Sequence, residues 1–115
     1  MTTKLYTITR TPEGVNAHAD AVPLRHVIVH SPTGFEYGYG GSGPADLALS
    51  ILADYFGEQP SEYDRNTGNG HCFKFHQPFK WKFIASQTAQ GFSIRREDIE
   101  EWLREEFGLI PEAAG

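Results

Sequence analysis

The chain is short of cysteine and of long apolar runs, and each scarcity excludes a class of protein. One residue in 115 is cysteine, which excludes a disulfide-stapled scaffold and cannot supply a zinc site made of several thiolates. No apolar run approaches the roughly 20 residues that span a membrane. The first residues also lack the apolar stretch of a signal peptide. The sequence therefore predicts a cytoplasmic protein with no membrane partner.

The length of 115 residues limits the architecture. A barrel enzyme or a full dinucleotide-binding domain needs about 200 residues or more. One domain with its own hydrophobic core fits this length, and we expect a single domain over residues 1–115. The formal net charge of −5 disfavours nucleic acid as a partner.

Hydrophobic patterning predicts strands in the first third of the chain. Alternating residues on either side of a Pro-Glu-Gly turn predict a hairpin, and the β-branched run Val27–Val29 predicts a further strand. The predicted strands cover residues 5–10, 15–21, 25–30 and 35–37. Apolar residues at a spacing of four then predict a helix over 44–56, with Ser42 or Gly43 as its cap and Gly57 as its stop.

The second half is predicted to add one strand and one helix. Residues 58–70 are polar and rich in turn residues, which indicates a long loop. Residues 71–77 fit either a strand or a short helix, residues 79–86 a strand, and residues 96–107 a closing helix. The result is an α+β domain with a mainly antiparallel sheet of about four or five strands packed with two principal helices.

The middle of the chain carries a distinctive glycine-rich stretch. The segment Gly38-Tyr-Gly-Gly-Ser-Gly-Pro44, continued through the predicted helix to Leu52, is followed by His76–Lys80, by Phe83–Ala85, and by Ile99 with Trp102-Leu103. This set resembles a family of small bacterial, archaeal and phage proteins of unknown function, over about residues 22–104. Family members often have Trp where this chain has Tyr37. The resemblance implies an occurrence in microbes and mobile elements, and it implies no activity.

The glycine-rich stretch itself allows two interpretations. Its Gly-x-Gly-x-x-Gly spacing opens a predicted helix, whose free N–H groups could bind an anion. An anionic metabolite or nucleotide would then contact Tyr37, Tyr39, Gly40, Gly41, Ser42 and Gly43. The chain lacks both the acidic residue expected about 20 residues later and a Gly-Lys-Ser/Thr sequence. We therefore favour a tight turn whose glycines adopt positive φ and pack against the sheet.

No group of residues predicts an enzyme. Ser42 lies in a near match to Gly-x-Ser-x-Gly, but Pro44 replaces the last glycine, and a helix cap explains Ser42 better. Candidate partners for it are His30 or His71 as a base and Asp46 or Asp54 as the orienting carboxylate. Any small domain offers such trios, so we predict no catalytic residue.

The histidines raise the possibility of a metal site. His26 and His30 are four apart, which on a strand separates them by roughly 13 Å, too far for one ion. His71, Cys72 and His76 would need a helix and a fourth ligand. We therefore predict no metal and no cofactor.

Residues 71–96 carry five basic residues and no acidic one, together with six aromatic residues, five of which lie between positions 73 and 83. Single-stranded nucleic-acid binding is thus a third hypothesis. On a strand, however, Phe79, Trp81 and Phe83 would share the inward face and Lys80 and Lys82 the outward face, which is an ordinary half-buried strand.

The closing helix is acidic. Its carboxylates would form a solvated ridge opposite the apolar residues, and the ridge could occupy a basic surface of another protein. The predicted partner-binding residues are Glu97, Glu100, Glu101, Glu105 and Glu106. The leading hypothesis is a non-enzymatic binding protein of a phage or mobile element that engages a host protein complex. Its sharpest form is an inhibitor of a host defence complex that acts by steric and electrostatic occlusion. The oligomeric state stays open.

Overall fold

A computed structural model describes residues 4–109, which form an α+β arrangement of four strands and four helices. The strands are β1 (Leu5–Thr11), β2 (Gly14–Ala19), β3 (Val22–Pro23) and β4 (Gly91–Arg95). The helices are α1 (Ser42–Phe56), α2 (Glu62–Thr67), α3 (His71–Phe79) and α4 (Arg96–Phe107), and α3 runs directly into a π-helical turn, Lys80–Ile84. The predicted fold class is confirmed.

The strands form one antiparallel sheet in the order β3-β2-β1-β4. Tyr6 in the central strand β1 pairs with Ala19 on one side and with Ile94 on the other. All three side chains are buried, which is the alternation expected of a sheet with one face on the core. The predicted hairpin is confirmed, whereas β4 was not among the predicted strands.

Helix α1 lies at the centre of the core. Nearly all of its residues are buried, including polar Asp46 and Ser50, so α1 is apolar on most of its circumference, as expected of a core helix. It ends at Gly57, which adopts the left-handed conformation. The predicted cap is wrong: Ser42 is the first helical residue, the cap position is Gly41, and no side chain makes a capping hydrogen bond there.

Residues 25–30 do not form the predicted strand. A strand needs a neighbouring strand for its N–H groups, but here side chains of α1 accept them. The Val27 N–H donates to Ser50 Oγ at 2.9 Å, and the His30 N–H donates to Asp46 Oδ1 at 2.9 Å. Residues 35–37 likewise form only a single bridge, between Phe35 and Val15.

Residues 79–86 form the end of α3 and the π-helical turn, so the predicted strand is wrong. The buried residues Cys72, Phe75, His76 and Phe79 follow the i, i+3, i+4, i+7 spacing of a helix. Two of the predicted orientations are reversed, because Lys80 is buried and Trp81 is 61% exposed, whereas Phe79 is buried and Lys82 exposed as predicted. The predicted polar loop 58–70 contains the short helix α2, and α4 has the predicted bounds. None of the helices within residues 4–109 is long and apolar enough to cross a membrane.

Candidate functional site

The buried carboxylate of Asp46 organises the segment that precedes the glycine-rich loop. Asp46 is completely buried, and its oxygens accept hydrogen bonds from the N–H groups of Val29, His30 and Ser31 and contact His26 Nε2 at 2.9 Å. A buried carboxylate is tolerated only when it is paired in this way. Its hydrogen-bonding capacity is thereby used for structure, which leaves it poorly suited to orient a catalytic base for Ser42.

The histidines considered as metal ligands do not all come together at one point, and they contact different partners. His26 is bound to Asp46, and His71 Nδ1 lies 3.2 Å from Glu58. His30 Nε2 lies 3.3 Å from His76 Nε2, while His76 Nδ1 contacts the Phe73 carbonyl oxygen at 2.8 Å. Burial lowers the pKa of His76. Among the described residues, no three or more His, Cys, Asp or Glu side chains are grouped to hold a metal ion.

The glycines of the loop are needed mainly because aromatic rings lie against the loop backbone and leave no room for a side chain. Between positions 38 and 43 only Gly38 has a positive φ, of 90°. A Cβ on Gly40 would collide with the ring of Trp81, and a Cβ on Gly41 with the ring of Tyr39. The favoured interpretation is wrong in its details, because only Gly38 has a positive φ and Gly40 and Gly41 pack against aromatic rings instead of the sheet.

Polar contacts join the same loop to the π-helical turn. Lys80 Nζ donates to the Gly40 carbonyl oxygen at 3.0 Å, and the Gly38 N–H donates to the Ile84 carbonyl oxygen at 3.1 Å. The buried Lys80 also lies 4.6 Å from the centroid of the Trp81 ring, a favourable cation–π distance. The loop and the turn are therefore joined by hydrogen bonds at two points.

The predicted ligand-binding residues are only partly brought together. Tyr37 is 4% exposed and donates its hydroxyl to the Ala89 carbonyl oxygen at 2.7 Å, so its ring belongs to the core. Tyr39, Ser42 and Gly43 do line a hollow of about 410 Å³. The Cα of Gly43, however, is covered by the side chain of Glu36, which lines the same hollow. The carboxylate of Glu36 is paired with Arg10 at 2.9 Å, so Arg10 balances its charge. The anionic-ligand hypothesis therefore stays a prediction.

An acidic groove lies between the π-helical turn and α4. Its cavity has a volume of about 200 Å³. The groove is lined by Lys82, Phe83, Asp98, Glu101, Trp102, Glu105 and Glu106. The rings of Phe83 and Trp102 pack edge to face with centroids 5.7 Å apart. The groove thus combines aromatic surface with carboxylates from α4.

The carboxylates of α4 differ in how they are paired. Arg95 donates to Asp98 Oδ1 at 2.8 Å, which holds the pKa of Asp98 below its usual value, and Glu100 lies 3.6 Å from Arg96. Within residues 4–109 no ion pair involves the remaining groove carboxylates, which belong to Glu101, Glu105 and Glu106.

The groove therefore contains three of the five predicted partner-binding residues, and Glu97 and Glu100 do not line it. The sequence analysis did not select Phe83 and Trp102 as part of this surface. The spacing of Asp98, Glu101 and Glu105 on either side of Trp102 could have shown that acidic and aromatic residues meet at one helix edge.

Comparison with known proteins gives a family but no characterised relative. The model of a family of unknown function, DUF6166, matches residues 6–105. The match begins before residue 22, where the resemblance starts, and covers the four described strands except Leu5. No curated protein and no solved structure matches the chain.

Proposed function

The chain belongs to DUF6166, a family of unknown function, and we propose that it is a non-enzymatic binding protein that engages a basic surface of another protein through the acidic groove. The observation that carries the proposal is that Glu101, Glu105 and Glu106 form no ion pair with any residue from 4 to 109 and lie beside the aromatic rings of Phe83 and Trp102.

The chemistry of the groove fits an arginine side chain of the partner. A guanidinium group can stack on the face of an aromatic ring and at the same time donate two hydrogen bonds to a carboxylate. Trp102 is 7% exposed and Phe83 is half-buried, so part of the aromatic surface borders the groove. Lysine would supply the charge but would not match the planar arrangement.

The wider charge distribution supports the same class of partner. The chain has a net charge of −5, which attracts a basic surface over a distance of about one Debye length, roughly 8 Å at physiological salt. Exposed charges at the edge of an interface mainly raise the association rate and select the partner. We therefore expect binding that weakens as the salt concentration rises.

The most specific form of the proposal is an inhibitor of a host defence complex, encoded by a phage or mobile element. The chain would then occupy a basic groove of that complex and exclude its natural ligand by steric and electrostatic occlusion. The acidic groove and the resemblance to microbial and phage proteins support this form.

The experiment compares two charge-reversed variants with equal net charge. The test variant is Glu105→Lys with Glu106→Lys, and the control is Glu13→Lys with Glu62→Lys, at exposed positions outside the acidic groove. A tagged wild-type chain first captures its target from a nuclease-treated bacterial lysate, and the purified target is then titrated with each variant.

We expect the groove variant to bind at least tenfold more weakly than the wild type, and the control variant to bind within about threefold of it. Such a difference corresponds to roughly 1.4 kcal/mol or more of binding free energy. Equal losses in both variants would show that only net charge matters. No loss in the groove variant would place the interface elsewhere.

A further inference from the structure

The outer face of α3 and the π-helical turn carries an exposed aromatic ring among basic residues. Because Pro78 and Trp81 lie one turn apart, and Lys74 and Lys82 flank them, these residues share one side of the helix. The face consists of Lys74, Gln77, Pro78, Trp81 and Lys82, all of which are exposed; we call it the α3 face. It does not take part in the contacts on which the proposed function rests, except that Lys82 also borders the acidic groove.

The ring of Trp81 is exposed and at the same time held in place. It is 61% exposed, whereas tryptophan side chains are highly buried on average. Its outer edge rests on Gly40, and the Nζ of Lys80 lies 4.6 Å from its centroid. Tyr39, 52% exposed, packs its ring on the next glycine of the loop. The structure therefore presents the flat ring of Trp81 to the solvent while its edge contacts Gly40.

The charged side chains of the α3 face itself are basic, Lys74 and Lys82, although Lys82 also borders the carboxylates of the acidic groove. Residues 71–96 contain no acidic residue, but their basic residues are not all available. Lys80 is buried against the Gly40 carbonyl, and Arg95 and Arg96 are paired with carboxylates of α4. Lys74 and Lys82 make no ion pair within the described part of the chain. They lie about 12 Å apart along the helix axis.

We infer that the α3 face binds single-stranded nucleic acid, with one base stacked on Trp81 and phosphates near Lys74 and Lys82. Exposed aromatic rings among basic side chains are the standard platform for unpaired bases, because every base has a π face and every linkage has a negative charge. A strand over residues 79–86 would have turned Trp81 inward, away from any nucleic acid, whereas the structure places Trp81 at the surface. The net charge of −5 makes the expected binding weak.

An acidic protein segment is the competing occupant of this face. Its carboxylates would pair with Lys74 and Lys82, but nothing in it would stack on the flat ring of Trp81. Nucleic acid uses both the ring and the charges, so the arrangement favours it. Removing the ring should weaken the binding of nucleic acid but leave the binding of an acidic segment unchanged.

The test measures fluorescence anisotropy of a labelled oligothymidylate titrated with the full chain at low salt. Trp81→Ala is compared with Tyr63→Ala, which removes a similarly exposed aromatic residue on α2. Circular dichroism confirms that both variants are folded, and a Lys74→Ala, Lys82→Ala double variant tests the charges without touching the ring. Poly-glutamate serves as the acidic competitor.

We expect the affinity to fall about 5- to 150-fold in Trp81→Ala and to stay unchanged in Tyr63→Ala. Plotted as log affinity against log salt concentration, the slope should become less negative by about 1.4 in the double lysine variant. Tryptophan fluorescence should be quenched on binding. The inference is overturned if the wild type shows no anisotropy change, if both aromatic variants behave alike, or if poly-glutamate displaces the oligonucleotide as well as unlabelled oligothymidylate does. The proposed function would be untouched by such a result, because its variants lie on α4.

Discussion

The ring of Trp81 occupies the space that a side chain on Gly40 would need. We therefore predict that Gly40→Ala destabilises the protein by about 1–3 kcal/mol, because the added methyl group must displace the ring or the loop. Equilibrium unfolding in urea measures the loss. In a Trp81→Ala background the same substitution should cost clearly less, since the obstructing ring is gone.

Ser42→Ala provides the control for this prediction, because Ser42 is exposed and caps nothing. It should change the unfolding free energy by less than about 0.5 kcal/mol. Gly40→Ala could lower the free energy of unfolding by the same amount whether position 81 is alanine or tryptophan. That result would show that the ring of Trp81 is not what requires glycine at position 40.

We next predict that Asp46→Ala is among the most damaging single substitutions. It removes the acceptor for three backbone N–H groups and for His26, and buried donors that lose their partner are costly. We expect a loss of roughly 3 kcal/mol or more, measured by urea unfolding. Asp46→Asn keeps the shape of the side chain and one acceptor oxygen, so its free energy of unfolding should lie between those of the wild type and Asp46→Ala.

Asp64→Ala is the matched control for Asp46. The Asp64 carboxylate also accepts hydrogen bonds from backbone and side chain, but it does so in the exposed cap of α2. A lost cap costs about 0.5–2 kcal/mol. Equal losses at positions 46 and 64 would mean that burial of the Asp46 network adds nothing to stability.

The pH dependence of stability should contain a contribution from His76. Burial is the main cause of its lowered pKa, and His30 and Lys80 lower it further, while the Phe73 carbonyl and Asp46 oppose them. The unfolded chain therefore takes up a proton near the ordinary pKa of 6.5, before the folded chain does. Stability should be lost as the pH falls from about 6.5 through the lower pKa of the folded state.

His76→Asn tests this contribution, because asparagine can still donate to the Phe73 carbonyl but does not titrate. Thermal unfolding between neutral and mildly acidic pH should show a shallower loss of stability in this variant than in the wild type. His18→Asn, on the partly exposed side of β2, is the comparison. A slope in His76→Asn identical to that of the wild type would contradict the assignment.

The elements that sequence patterning predicted correctly are those whose burial follows a simple period. The hairpin of β1 and β2 alternates as expected, and α1 and α4 have apolar residues at helical spacing. Strand β4 also alternates, with Phe92 and Ile94 on its inner side, but its five residues lie next to a helix and were missed.

Two errors have identifiable physical causes. Residues 25–30 have a strand-like composition, but the acceptors for their N–H groups are the side chains of Asp46 and Ser50 on a distant helix, and this tertiary arrangement leaves no local signal. Residues 79–83 alternate between aromatic residues and lysine, which matched a strand. The helical spacing of Cys72, Phe75 and Phe79 was the stronger signal.

The acidic groove could be predicted only in part for a related reason. The charge of α4 is evident from the sequence. The other side of the groove, however, is formed by the π-helical turn, whose residues have the alternation of a strand. Phe83 and Trp102 are far apart in the chain, and only the folded structure places their rings together.

Arg95 is both the last residue of β4 and the cap residue of α4. The Arg96 N–H also donates to the Lys4 carbonyl oxygen at 2.9 Å, immediately before the central strand begins. Helix α4 therefore follows the sheet with no loop between them, and the backbone positions that carry its carboxylates have a set spacing before any encounter. A partner would meet a preorganised template, and complex formation would sacrifice little backbone conformational entropy on this side of the interface.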